Sequence, residues 1–220
     1  DTTGGGNVRL SEVAYQYDTM GRRIREDVAH FDTQTQAPIG DGFSTTQWSY
    51  ADNSQVVGRQ DDNPGHVTIY AYDTANRLAR TTDARGNTID GVYDGESNLV
   101  ATTETDRSDL GNPDQLVTTT YAYDALDRLV ARTDNFGNVE RYAYDSRSNQ
   151  VRATDARGNP TRYEYDGLSR LFRTSRDMNG NGVFTDPVDI VTGQTWDDSS
   201  RLTGQTDDNL DTTSYAYDPL

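Results

Sequence analysis

A loop rich in oxygen-bearing side chains lies in the segment RDMNGNGVFTDPVD, residues 176–189. Acidic and amide side chains alternate there and Gly182 follows them, a pattern typical of loops that wrap a hard cation such as calcium. Counted from Asp177 as position one of an EF-hand loop, position twelve is Val188, where such a loop has a bidentate glutamate. The sequence therefore leaves two interpretations open, a calcium site or an Asn-Gly turn without metal. The candidate calcium ligands are Asp177, Asn179, Asn181 and Asp186.

Residue pairs suited to hydrolysis are scarce. Adjacent carboxylates occur at Asp61-Asp62, Asp197-Asp198 and Asp207-Asp208. Neighbouring residues of a strand point to opposite faces, so these pairs cannot face each other across a cleft as glycoside hydrolysis requires. The histidines are His30 and His66, and there is no cysteine to complete a nucleophilic site. We expect no catalytic residue, no enzymatic activity and no cofactor other than the possible calcium.

The composition excludes several classes of partner. The net charge is -16, all 20 basic residues are arginine, and the chain has no lysine. A phosphate backbone would be repelled by this charge, so we expect no nucleic-acid partner. No apolar run is long enough to span a membrane, and the start DTTGGGNVRL lacks the regions of a signal peptide. We expect a processed product or a piece of a longer chain.

A short aromatic motif, Tyr-x-Tyr-Asp, recurs along the whole sequence. Its residues are Tyr15, Tyr17, Asp18, Tyr70, Tyr72, Asp73, Tyr121, Tyr123, Asp124, Tyr142, Tyr144, Asp145, Tyr163, Tyr165, Asp166, Tyr215, Tyr217 and Asp218. Degenerate copies are WSYA, GVYD and QTWD, which end at Ala51, Asp94 and Asp197. Such regular phasing of aromatic residues indicates a scaffold rather than a single site.

The spacing of the motifs defines two periods. Most copies are separated by about 21 residues, and every third interval is longer by about ten. The larger period is about 73 residues, as shown by Ala51, Asp124 and Asp197. We therefore predict that residues 1–220 form one repeat segment, with about nine repeats in three units and no separate catalytic domain.

Each repeat has the local pattern of strands joined by turns. Tyr142 and Tyr144 are two residues apart and so share one face of an extended segment. Clusters such as DALD, ARGN and NFGN supply the residues that tight turns need. We predict an all-β fold of repetitive antiparallel hairpins in a curved sheet. Tyrosines of neighbouring repeats are expected to form cross-strand ladders, with arginines such as Arg128 against rings or aspartates.

Two stretches carry a family resemblance. GNVERYAYDSRSNQVRATDARGN (137–159) and YEYDGLSRLFRTSRD (163–177) resemble the YD repeats of the Rhs and teneurin group. The pattern of Y-x-Y-D, then R-L, then D-x-x-G-N extends over nearly the whole chain. The chain departs from the family pattern in one respect: the glycine that usually precedes the R-L pair is present only in Gly21-Arg22.

The resemblance implies a long antiparallel sheet that spirals into a hollow shell or tube. In bacterial Rhs proteins and insecticidal toxin complexes such a shell encloses a toxin, and in teneurins and wall-associated proteins the repeats lie outside the cell. It thus implies a structural role, a secreted or cell-surface location, and an enclosed polypeptide as partner. The family's autoproteolytic segment follows the repeats, whereas this sequence ends at Tyr217-Asp218-Pro219-Leu220, so autocleavage and a toxin domain are not expected.

Three insertions fall at one phase of the larger period, and we expect them to project as loops. They span residues 28–43, 104–116 and 176–189. With Trp48 and Trp196 they support an alternative function, an adhesin or glycan-binding module. Similar strand edges at the two ends also predict pairing with further repeats, either in a longer chain or between copies stacked end to end into a filament.

Overall fold

The computed structural model describes residues 11–107, 113–184 and 186–218, which contain seventeen β-strands and no helix. Within residues 13–93 and within residues 115–214, the strands form antiparallel pairs with their neighbours in the chain. This confirms the prediction of an all-β fold built from hairpins. Within these residues no helix has the length and hydropathy needed to cross a membrane.

The chain divides into two compact units, residues 1–92 with 102–116, and residues 93–101 with 117–220. The strands of the first unit are β1 (Val13–Tyr17), β2 (Arg23–Phe31), β3 (Pro38–Tyr50), β4 (Val56–Gln60), β5 (Val67–Tyr72), β6 (Leu78–Thr82) and most of β7 (Thr88–Tyr93). Like β7, two further strands have residues in both units, β8 (Leu99–Asp106) and β9 (Gln115–Tyr123). The remaining strands are β10 (Leu129–Thr133), β11 (Val139–Tyr144), β12 (Gln150–Thr154), β13 (Pro160–Tyr165), β14 (Leu171–Arg176), β15 (Ile190–Trp196), β16 (Leu202–Thr206) and β17 (Thr212–Ser214). Organisation as a single repeat segment stays a prediction.

The two faces of the second unit differ in chemistry. Tyr142 lies opposite Ala153 on one face, and Ala143 lies opposite Arg152 on the other. We call these the tyrosine face and the arginine face. Because side chains alternate along a strand, the Tyr-x-Tyr pattern assigns both motif tyrosines of β11 to the first of them.

Buried apolar side chains are almost missing. Among the described residues, Phe31 is the one large apolar side chain in the buried class, and it remains 9% exposed. Most strand residues are half-buried by their neighbours in the sheet. Hydrogen bonds and contacts between successive hairpins, rather than a conventional core, must therefore supply much of the stability.

The tyrosine ladders differ from the prediction. Tyr142 faces Ala153 and Tyr163 faces Thr174, so a motif tyrosine does not face another tyrosine on the adjacent strand. The reason is that each repeat contributes two strands, and consecutive motif strands are separated by an intervening one. The tyrosines instead contact neighbouring repeats through their hydroxyl groups and through arginine.

The first insertion also differs from the prediction. It forms an extended hairpin and not a loop. Residues Val28 to Phe31 of β2 pair with residues Pro38 to Ser44 of β3. A tight turn connects the strands, in which the Asp32 amide donates to the Ala37 carbonyl at 2.8 Å. The second insertion lies partly outside the described residues, and the third is the oxygen-rich segment 176–189.

Candidate functional site

The motif aspartates from Asp18 to Asp197 each begin a five-residue turn, which we call an Asp turn. In the turn from Asp124 to Arg128, the aspartate Oδ1 accepts the backbone amides of Leu126 and Arg128 at 2.9 and 3.1 Å. The Arg128 guanidinium donates to the other carboxylate oxygen, with Nε at 2.8 Å. The fourth residue, Asp127, has a left-handed backbone with φ of 56°. One carboxylate thus holds both ends of the turn.

The same arrangement recurs in the other motifs. Turns in which the fifth residue is arginine begin at Asp18, Asp73, Asp166 and Asp197. Turns in which it is asparagine begin at Asp83, Asp94, Asp134, Asp145 and Asp155. The Asp-x-x-Gly-Asn segments and the Tyr-x-Tyr-Asp motifs therefore build the same turn at the two ends of successive hairpins.

In most motifs the second aromatic residue fastens its strand to the preceding one. The Tyr144 hydroxyl donates to the Leu129 carbonyl at 2.9 Å, just after the Asp turn that begins at Asp124. Equivalent bonds are made by Tyr50 to Arg23, Tyr72 to Val56, Tyr123 to Leu99, Tyr165 to Gln150 and Tyr217 to Leu202. These tyrosines act as lateral clamps.

Arginines of the Asp turns provide a second lateral link. Arg128 donates Nη1 to the Asp145 carbonyl at 2.9 Å, and its guanidinium lies over the Tyr144 ring, 4.8 Å from the centroid. Arg22 and Arg201 make corresponding contacts with the rings of Tyr50 and Tyr217. One guanidinium therefore connects its own turn with both the backbone and the ring of the next repeat.

The Asp turns that begin at Asp18, Asp73, Asp124 and Asp145 lower the pKa of the carboxyl group of that aspartate. For Asp124 the largest cause is the hydrogen bond from the Arg128 side chain, and for Asp145 it is the one from the Asn149 side chain. For Asp18 and Asp73 the largest cause is the backbone amide of the fifth residue. In each case the ionised form is favoured in the folded protein.

Acidification is therefore expected to unfold the protein. A folded-state pKa below the unfolded value gives stability that is present above the unfolded pKa and is lost as pH falls through the folded one. The unfolded reference for these carboxyls is 3.8, so urea midpoints should decline at pH values below about that point. Asp124→Asn should make the midpoint less dependent on pH than in the parent chain. A midpoint unchanged between about pH 5 and about pH 2.5 would contradict the role of the Asp turns.

The four candidate calcium ligands lie in one loop but form internal hydrogen bonds. Asp177 is fully buried, and its carboxylate accepts the amides of Gly180 and Gly182 at 2.6 and 2.7 Å. The side-chain amides of Asn179 and Asn181 donate to one oxygen of Asp186 at 3.0 and 2.6 Å. These two bonds are the largest causes of the lowered pKa of Asp186.

This arrangement does not fit calcium well. The two amides present N–H groups, not oxygens, to Asp186, whereas calcium needs six or more converging oxygen ligands. Nor do the described ranges hold any group of three or more His, Cys, Asp or Glu residues that could bind a metal. The geometry favours the hydrogen-bonded turn of the two interpretations.

We accordingly expect no rise in melting temperature when millimolar calcium is added. A cation that binds the native state stabilises it by mass action, so binding would be visible as a shift. Differential scanning fluorimetry with calcium, with magnesium and with a chelator would measure it. A rise with calcium that Asp186→Asn abolishes would establish the metal site instead.

The two tryptophans occupy motif positions. Trp196 replaces the second tyrosine, and its Nε1 donates to the Leu171 carbonyl at 2.8 Å in the same way as the tyrosine clamps. Trp48 replaces a first tyrosine, and Arg23 lies over its ring at 4.4 Å. Both side chains are thus engaged within the scaffold. Glycan binding through them stays a prediction for a glycan array to test.

The histidines do not build a hydrolytic site within the described residues. His30 Nε2 lies 2.6 Å from the Ser44 hydroxyl, but no described carboxylate contacts this histidine. His66 Nδ1 lies 3.8 Å from Asp61, and both side chains are more than half exposed. The expectation that the protein is not an enzyme stays a prediction.

Comparison with known proteins gives one family match and several fold likenesses. No curated protein sequence matches the chain. Structures similar to it include TcdB2-TccC3-Cdc42 (16% identity, TM-score 0.45) and TcdB2-TccC3 without the hypervariable C-terminal region (15%, 0.47). A third is the Photorhabdus luminescens Tc holotoxin pore (13%, 0.29). Each alignment covers 92% of this chain but only 14 to 16% of the other, so the chain spans a small part of their length.

The family match falls on the most regular repeats. The RHS repeat model matches residues 123–160, which include Tyr123, the Asp turns at Asp124 and Asp145, and the Tyr144 clamp. These are also the residues in which the Y-x-Y-D and D-x-x-G-N patterns follow each other. Residues 123–160 thus match the RHS repeat model, which confirms there the resemblance drawn from the sequence.

Proposed function

We propose that this chain is a structural segment of an Rhs-like repeat protein that is secreted or displayed at the cell surface. In this role it forms part of the wall of a shell, tube or fibre and carries out no chemistry. Further repeats, in the same chain or in other copies, are its lateral partners. A polypeptide enclosed or presented by the wall is its functional partner.

The observation that carries this proposal is the lateral connection between hairpins. Arg128 and Tyr144 together join one Asp turn to the next repeat through two hydrogen bonds and a cation–π contact. Because the same links recur from repeat to repeat, stability depends on contacts between neighbours, as in other repeat proteins. Such a sheet can be lengthened by one hairpin at a time without a new core, as a wall requires.

The native protein provides the test. Intact mass and terminal sequencing of protein from its source should show a longer chain with further repeats. If the native chain has only these 220 residues, a wall requires copies to stack, and sedimentation should show association that increases with concentration. A native chain of this length that stays monomeric at high micromolar concentration would overturn the wall function.

A further inference from the structure

The arginine face carries an uncompensated positive patch on an otherwise acidic chain. Four consecutive strands, β11 to β14, each place one arginine on this face, at Arg141, Arg152, Arg162 and Arg173. The one acidic side chain among them is Glu164, which pairs with Arg162 at 2.9 Å. The patch therefore has a local charge of opposite sign to the net charge of -16.

Most of these arginines have no partner among the residues that the structure describes. Within the described part of the chain, the side chains of Arg141, Arg152 and Arg173 form neither an ion pair nor a hydrogen bond, and the first two are exposed. Arg152 and Arg162 are direct cross-strand partners. Like charges placed opposite each other weaken a sheet, so this pair costs stability unless something binds it.

Comparison with the corresponding strands of the first unit shows that the scaffold does not need this charge. The equivalent cross-strand pair, 72 residues earlier, is Arg80 with Asp90, and there the two side chains form an ion pair. Arg162 thus stands where the earlier copy has an acidic partner. The positive patch is a property of this one place in the repeat array.

A hollow of about 590 Å³ lies over the patch. Its lining includes two arginines, Arg152 and Arg162, two carboxylates, Asp145 and Glu164, and Phe184 of the third insertion. A second hollow, which contains Arg173, is lined by the carboxylates Asp186, Asp189, Asp207 and Asp208. The second hollow therefore opposes an anionic ligand, whereas in the first the exposed guanidinium of Arg152 has no carboxylate partner among the described residues.

We propose that the arginine face beside the first hollow binds an extended acidic peptide segment through Arg141, Arg152 and Arg162. Strands lie about 4.8 Å apart, so the three guanidinium groups are distributed over about 10 Å, the length of about three or four extended residues. Arginine binds carboxylates with two parallel hydrogen bonds, and Val151 and Phe184 in the lining of the hollow offer apolar contact beside them. A long nucleic acid is disfavoured because its phosphates would extend from the patch onto the acidic remainder of the chain.

A labelled hexa-aspartate peptide tests the proposal by fluorescence anisotropy with the full chain. We expect saturable binding at about 20 mM NaCl that weakens at least about fivefold at about 300 mM. Arg162→Asp, which copies the Arg80–Asp90 pair, should weaken binding by about tenfold or more. This variant removes the like-charge pair but also breaks the Arg162–Glu164 ion pair, so its melting temperature is measured alongside. Arg152→Gln removes the like-charge pair and leaves that ion pair intact, and it separates loss of binding from loss of stability.

The matched control is Arg157→Gln, at an exposed turn position of the same unit. Arg152→Gln should weaken peptide binding, whereas Arg157→Gln should leave it unchanged. Equal losses of binding in both variants would show that binding depends only on the total charge of the chain and would contradict the proposed site. Absence of saturable binding would also refute the site. Competition by oligothymidylate as effective as that by hexa-aspartate would assign the patch to nucleic acid and overturn the peptide proposal.

Discussion

Replacing Tyr144 with alanine is expected to lower the free energy of unfolding by about 2–3 kcal/mol, somewhat less than the ~3–5 kcal/mol of a fully buried aromatic side chain. The ring is half-buried, supports the Arg128 guanidinium at 4.8 Å, and holds the Leu129 carbonyl through its hydroxyl at 2.9 Å. All three contacts join neighbouring strands or turns. Urea denaturation followed by tyrosine fluorescence and circular dichroism would measure the change.

Two variants separate the contributions in this prediction. Tyr144→Phe removes only the hydroxyl bond and should cost about 0.5–1.5 kcal/mol. Phe136→Ala removes an aromatic ring of similar size that is 84% exposed in a neighbouring turn, and it should be nearly neutral. If Tyr144→Ala cost no more than Phe136→Ala, the motif tyrosines would be surface decoration rather than lateral clamps.

The hairpin architecture could be predicted from the sequence because its signals are local and repeated. Tyr142 and Tyr144 alternate with residues of the opposite face, which indicates a strand, and Asp145 followed by polar residues indicates a turn. Nine copies of the pattern make an accidental match improbable. The fold class therefore followed from periodicity alone.

The lateral contacts could not be predicted in the same way. Ser148 adopts a left-handed backbone with φ of 65°, although serine does not mark that conformation as glycine does. The register of the hairpins also separates motif tyrosines by a strand, which no count along the sequence reveals. The signal that was available, an Arg or Asn four residues after each Asp, becomes informative only once the Asp turn is known.

The conformations of the insertions show a second limit of prediction from the sequence. All three fall at one phase of the repeat, yet residues 28–43 extend a hairpin while residues 177–189 fold around the buried Asp177. In the first, residues such as Val28 and Phe43 support extended pairing, whereas closely spaced Asn and Gly residues in the third favour turns. Phase predicts where an insertion occurs but not what it becomes.

Gly204→Ala is expected to destabilise the protein by about 1–2 kcal/mol, although glycine-to-alanine changes at ordinary backbone angles usually stabilise by about 0.4–1 kcal/mol. A Cβ at this position would lie 2.7 Å from Oγ1 of Thr195, its cross-strand partner. That hydroxyl contacts the Thr203 hydroxyl at 3.1 Å, and the β-branched side chain has little rotational freedom to move aside. Chemical denaturation of the purified variant would measure the loss.

An equivalent pair in an earlier repeat indicates a second substitution that should rescue this variant. One large period earlier the equivalent cross-strand pair is Ala131 with Ala122, so alanine fits when its partner is also alanine. Thr195→Ala should therefore restore most of the stability lost in Gly204→Ala, and a double-mutant cycle should give a coupling energy of about 1 kcal/mol. Gly193→Ala serves as the control, since its Cβ would meet Thr206 only at an ordinary 3.8 Å. Additive effects of Gly204→Ala and Thr195→Ala would show that cross-strand volume does not determine which residues the repeat accepts at these positions.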